Sequence, residues 1–209
     1  MSKHDTILMT GMPGSGTSRL GESLAEYLNS PLRSVEHVSL GDRVRAIGKG
    51  AIESLYGSHI ARHLESPHPE DLIRDEIITG VVEEILDEHR DTNLLLLDGY
   101  PRTIFQAYDA FRANYRYDRI LRGAIITQTD ELTATTRMLG REKRPMTLDE
   151  AHSRLEGYRL NAPETIETLG KRGILLARID TSGEKADTDE AGIRALTAML
   201  DPSFAEVAS

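Results

Sequence analysis

Apolar positions recur along this chain in two alternating patterns, short unbroken runs and longer stretches at helical spacing. Thr6-Ile7-Leu8-Met9-Thr10 is a short run that ends in Gly11-Met12-Pro13-Gly14-Ser15-Gly16. Beyond it Leu20, Leu24, Ala25 and Leu28 fall three to four residues apart until Asn29-Ser30-Pro31 stops the pattern. The opening unit is therefore strand, glycine loop, helix. A second short strand is expected over 35–40. Residues 41–69 are polar, with weak helical patterning and two prolines near their end. Residues 70–89 read as an amphipathic helix, with Leu72, Ile73, Ile77, Val81, Ile85 and Leu86 on one side. Leu94–Leu97 is wholly apolar, as a strand buried on both faces of a parallel sheet should be. Further strands are expected over 119–127 and 174–179, and helices over 103–112, 130–139, 150–169 and 190–200. Pro163 should kink or divide the third of these helices.

Five strands alternating with helices predict an α/β fold, a five-stranded parallel sheet with helices on both faces. At 209 residues the chain is expected to be a single domain, 1–209, without repeats. Ligands of such sheets bind beyond the carboxyl ends of the strands. Gly11–Ser18 and Asp98–Thr103 both follow strands and would open onto one crevice.

Charge and composition narrow the chemistry. With 25 Lys and Arg against 34 Asp and Glu, the net charge of −9 disfavours a nucleic-acid coat but leaves room for small anions. The absence of cysteine removes disulfides, thiolate metal sites and cysteine nucleophiles. The longest apolar run has four residues, Leu94 to Leu97, so no membrane span is expected, and the amino terminus has no signal-peptide core. A cytoplasmic location is the expectation. The seven histidines show no metal-ligand spacing; His59 and His63, four apart, read as a surface pair.

Gly11 to Ser18 matches the phosphate-loop pattern G-x-x-x-x-G-K-[ST] at Gly11, Gly16 and Ser18, with Thr17 where the lysine belongs. Such a loop works mainly through inward-facing backbone N–H groups and the dipole of the following helix. Thr17 can donate a hydroxyl but brings no charge. In Asp98-Gly99-Tyr100-Pro101-Arg102-Thr103, Asp98 at a strand end can face magnesium or its waters, and Arg102 offers a fork suited to phosphate. Gln106 could read a base edge.

Taken together these segments resemble the adenylate kinase family of nucleoside monophosphate kinases, in its short-lid form. Leu94 to Ala107 is close to the family's D-G-F-P-R-T-x-x-Q-A, with Tyr100 for Phe. Leu40 to Arg45 is similar to T-G-D-x-[LM]-R, Arg137 to Arg141 to R-x-x-G-R, and Arg154 to Tyr158 to R-L-x-x-Y. Asn161 to Pro163 and Ile179 to Gly183 also stand in family order. The resemblance implies a P-loop NTPase-type architecture with a monophosphate-binding lobe at about 40–70 and a short lid at about 137–155. It implies magnesium with ATP as cofactor, small-molecule nucleotides as partners and a monomer as the working state. Gly11, Gly14, Ser15, Gly16, Thr17 and Ser18 would hold the ATP phosphates. Arg45, Arg102, Gln106 and Gly99 would hold the acceptor, AMP. Arg137, Arg154, Arg144 and Arg141 would close over the transferring group, while Ser18 or Asp98 would hold magnesium through water. Three positions depart from the family: Thr17 for lysine, Leu40 for threonine, and Met146-Thr147 for a pair of aspartates. Leu40 leaves open a different acceptor, and Thr17 a nucleotide-binding relative with little kinase activity.

Overall fold

Alternate residues of each central strand face opposite ways, and the packing follows from that. The computed structural model of the chain describes residues 4–66, 72–140 and 146–201. Its strands are β1 (His4–Gly11), β2 (Val35–Ser39), β3 (Leu94–Asp98), β4 (Arg119–Gln128) and β5 (Leu175–Asp180). They form one parallel sheet in the order β2-β3-β1-β4-β5. Leu8, Leu95, Leu97 and Ala124 lie in a core with α2 (Leu40–Gly48), α3 (Gly57–Leu64), α4 (Asp75–Glu88), α5 (Ile104–Arg116) and α7 (Leu148–Lys171). Ile7, Met9, Leu94, Leu96 and Ile125 lie in a second core with α1 (Thr17–Leu28) and α8 (Lys185–Leu200). Burial on both faces is why Leu94–Leu97 is continuously apolar. Helix α6 (Glu131–Leu139) joins α7 through a small cluster of Ala134, Met138, Ala151 and Leu155.

The expected fold class is the observed one, with local corrections. The polar stretch after β2 forms two helices, α2 and α3, of which α3 buries Ile60 alone. The expected helix over 70–89 begins at Asp75, because Leu72 and Ile73 turn toward the cleft described below. Pro163 does not divide α7, which continues through it to Lys171. The final helix begins five residues early, at Lys185.

At the amino-terminal end of the sheet, buried Arg119 ties β4 to its neighbours. Its Nε donates to Thr6 Oγ1 at 2.9 Å, and its terminal nitrogens donate to the backbone oxygens of Asp5, His89 and Thr92 at 2.6, 2.9 and 3.1 Å. Burial pulls this guanidinium down to about 10.

Candidate active site

The turn after β1 is built by residues that only this loop requires. Ser15 N donates to Met12 O at 2.9 Å, and Gly14 and Gly16 take φ of 86° and 81°, where side chains are strained. A Cβ at Gly14 would also stand 2.4 Å from Ala134 O. Gly16 precedes helix α1 as its N-cap and offers no side-chain cap, and no acidic residue stands in the first turn. Its leading N–H groups and dipole therefore favour an anion.

Beneath the loop lies a hydroxyl cluster. Thr127 Oγ1, at the end of β4, shares hydrogen bonds with Ser15 Oγ at 2.7 Å and Thr17 Oγ1 at 2.6 Å. Thr181 Oγ1 donates to Ser15 O at 2.6 Å. Gly11 is obligatory here, since a Cβ would meet Thr127 Oγ1 at 2.1 Å. The Thr17 hydroxyl is thus tied to the sheet. Arg19, the nearest cation in sequence, pairs with Asp189 of α8 at 2.6 Å.

Beyond the carboxyl ends of the strands the loop opens into a cleft of about 590 Å³. Gly11, Gly14, Gly16, Thr17 and Ser18 form one wall; Asp98, Gly99, Arg102 and Gln106 another; Leu40 and Arg45 of α2 a third; and Arg154 and Tyr158 of α7 the fourth. Ser18 Oγ donates to Asp98 Oδ2 at 2.5 Å, and His37 Nε2 of β2 stands 3.5 Å from the same oxygen. Ser18 and Asp98 are hard oxygen donors at the glycine-loop end of the cleft, a donor set that fits magnesium and its water shell. Among the described residues no group of three or more His, Asp or Glu is placed to hold a metal directly.

Arg45 pairs with Asp42. Burial raises the Asp42 carboxyl, but the bonded Arg45 guanidinium and the Ser39 hydroxyl outweigh it and leave the group below the usual range. Arg102 Nε donates to Gly99 O at 2.9 Å. Tyr100 is buried, and its hydroxyl donates to Gln106 O at 2.9 Å, fixing the start of α5. Burial raises that phenol well above its usual range.

Most of the site residues expected from the sequence meet at this cleft. Ser15 lies under the loop rather than in the wall. Arg137 stands outside the cleft lining and donates to Thr181 O at 2.9 Å. Arg141 and Arg144 lie outside the described residues. Thr127, His37 and Asp75 were not legible as site residues, for each reaches it through a partner on another element. None of the described helices is long and apolar enough to cross a membrane.

A family model described as an AAA domain matches residues 10–154, from the end of β1 to Arg154. A protein of Oenococcus oeni named adenylate kinase is 30 % identical over 187 residues, covering 88 % of this chain and 92 % of its own. An adenylate kinase of Nocardia farcinica is 29 % identical over 195 residues, covering 91 % and 98 %. One from Listeria monocytogenes is 36 % identical over 101 residues, covering 48 % and 42 %. With an uncapped glycine loop at the crevice and likeness along nearly its whole length, the chain is an enzyme that belongs to the adenylate kinase family.

Proposed function

We propose that this chain transfers the γ-phosphoryl group of ATP to AMP, giving two ADP. The observation that carries the reading is the convergence of Arg45, Arg102 and Arg154 on the cleft that the glycine loop opens into. Phosphoryl transfer needs no protein nucleophile: an acceptor phosphate oxygen attacks the γ-phosphorus in line as the bond to the β-phosphate oxygen breaks. The protein supplies position and positive charge.

In this reading the backbone from Gly14 to Ser18 holds the ATP phosphates, assisted by Gly11, Gly16 and the dipole of α1. Thr17 lends no charge, so the arginines carry that share. Arg45 and Arg102 grip the acceptor phosphate, Gly99 gives it close approach, and Gln106 reads its base. Arg154, with Arg137, Arg141 and Arg144, neutralises the transferring group. Magnesium, held through water at Ser18 and Asp98, supplies further positive charge on the phosphates when bound. A monophosphate-binding lobe at about 40–70 and a lid at about 137–155 close on the nucleotides and exclude water, which keeps ATP from simple hydrolysis.

The test is a coupled assay with magnesium-ATP and each of AMP, CMP, UMP and GMP, with ATP alone as the blank. The expected result is ADP formation selective for AMP. Faster transfer to another monophosphate assigns the acceptor site to that base, the outcome Leu40 in the cleft wall would favour. A protein that binds nucleotide without transfer to any acceptor defeats the reading.

A further inference from the structure

Gln106 is 1 % exposed yet forms part of the cleft wall, and its carboxamide is held at both ends. Oε1 accepts from the Arg102 backbone N–H at 2.8 Å, and Nε2 donates to Asp75 Oδ1 at 2.8 Å. A backbone N–H can only donate and a carboxylate can only accept. Both anchors therefore demand one orientation of the amide, and turning it over would oppose donor to donor and acceptor to acceptor. Asp75 is itself fixed, because the same Oδ1 accepts from Thr103 Oγ1 at 2.9 Å. Thr103 in turn caps α5 by accepting from the Gln106 N–H at 3.2 Å. Asp75 stands behind Gln106, outside the cleft lining.

Each end of the amide keeps one unused capacity, a second hydrogen on Nε2 and a second lone pair on Oε1. We propose that Asp75 is a specificity-determining positioning residue, which locks the Gln106 amide so that the acceptor site takes a 6-aminopurine monophosphate and refuses its 6-oxo analogue. The inference rests on the acceptor role proposed above for this part of the cleft. Adenine presents the N6 donor beside the N1 acceptor, whereas hypoxanthine presents the O6 acceptor beside the N1–H donor. An amide free to turn over matches either edge. A locked one, facing a base whose sense is set by its sugar and phosphate, matches one edge and leaves the other as two opposed pairs. Leu40, Val44, Ile73 and Ile78 of the same cleft are apolar and offer no side-chain hydrogen bond in compensation.

The experiment compares AMP with IMP, by equilibrium binding in a calorimeter and by kcat/KM, in the wild type, Asp75→Ala, Gln106→Leu and the double variant. The wild type should favour AMP by at least about tenfold, the scale of one mismatched hydrogen bond. Asp75→Ala should lower that ratio several-fold, chiefly by strengthening IMP relative to AMP, with the Arg102 N–H left as the second anchor. Since Asp75 acts through Gln106, the double variant should match Gln106→Leu alone. Asp75→Asn, whose amide can present either an acceptor or a donor, should recover the ratio only in part. Asp75→Ser keeps a residue suited to a helix start but is too short to hold Nε2, and should behave as alanine if the alanine variant does not fold. A wild type that does not distinguish the two nucleotides overturns the proposal, as does an Asp75→Ala variant with the ratio intact. AMP and IMP weakening together, or a double variant that sums the two singles, would do the same. Absence of phosphoryl transfer with the binding ratio present would instead defeat the proposed function and leave the lock standing.

Discussion

At the amino-terminal end of the sheet Arg119 is 4 % exposed and donates to Thr6, Asp5, His89 and Thr92, three of them through backbone oxygens. At the carboxyl end Arg45 stands in a cleft wall beside Asp42, a carboxylate 71 % exposed, and Arg102 is an exposed residue in the same cleft. The side chains are identical, and their surroundings decide what each can do. Buried Arg119 joins β1, β4 and the turn before β3 through four acceptors at once, so it is part of the frame. His89 O also accepts from the Thr92 N–H, and Thr92 O has His4 Nδ1 at 3.0 Å. A pair at the surface contributes little and exchanges readily with an incoming anion. Among these three arginines the frame residue stands where the strands begin and the two exchangeable ones where they end.

The contrast is tested hardest at Arg102. Arg102→Ala should lower kcat/KM by about 100-fold or more, the scale of losing one charged donor that positions a reacting phosphate. Thermal denaturation should scarcely change. A melting point that falls with the activity would make Arg102 a frame residue and remove the distinction. Arg119→Met should do the reverse. It removes the arginine donor to Thr6 Oγ1 and Asp5 O, while His89 O and Thr92 O keep the Thr92 N–H and His4 Nδ1, so chemical denaturation should show a loss of about 1–3 kcal/mol. The kcat of the protein still folded should be unchanged.

A smaller effect is expected at Thr17, which lines the cleft while bonded to Thr127 at the carboxyl end of β4. Thr17→Val removes the hydroxyl's bonds to Thr127 and Ser15 beneath the loop, and steady-state kinetics should show the KM for ATP rising about fivefold. Smallest is the response of the Arg119 end to acid. Burial holds half-buried His89 below its ordinary 6.5, and Arg119 and Arg43 add to this against the opposing pull of Glu36 and Glu88. The unfolded chain then binds the proton first, so this contribution is complete above pH 6.5 and is lost as pH falls toward the folded value. Denaturant midpoints measured across that window should decline less in His89→Gln than in the wild type.

Much of this was legible because it is written in local chemistry. Glycine spacing announced the loop, and four consecutive leucines announced a strand covered on both faces. Helix α3 was obscure because a helix that buries only Ile60 has no apolar stripe to read. The early turn of α8 was hidden for the same reason, since its first buried residue is Thr188. Leu72 and Ile73 misled, because apolar residues that line a cleft look in sequence like residues that line a core. Arg119 is indistinguishable on paper from a surface arginine. Thr17 and Thr127 are 110 residues apart, and Asp75 and Gln106 are 31 apart. No local pattern connects such pairs; only the order of strands in the sheet brings them together.

Helix α7 has 24 residues and is therefore about 36 Å long. One part of it packs on α5, and its amino-terminal half supplies Arg154 to the cleft. Pro163 has no N–H to offer the carbonyl one turn earlier, so the rod has a soft point about two-thirds along it. From there to Thr147 is about 24 Å of helix, and a bend of about 10° at the proline sweeps Thr147 through about 4 Å. Arm length alone would convert a small rotation at Pro163 into a displacement of ångströms at the amino-terminal end of α7.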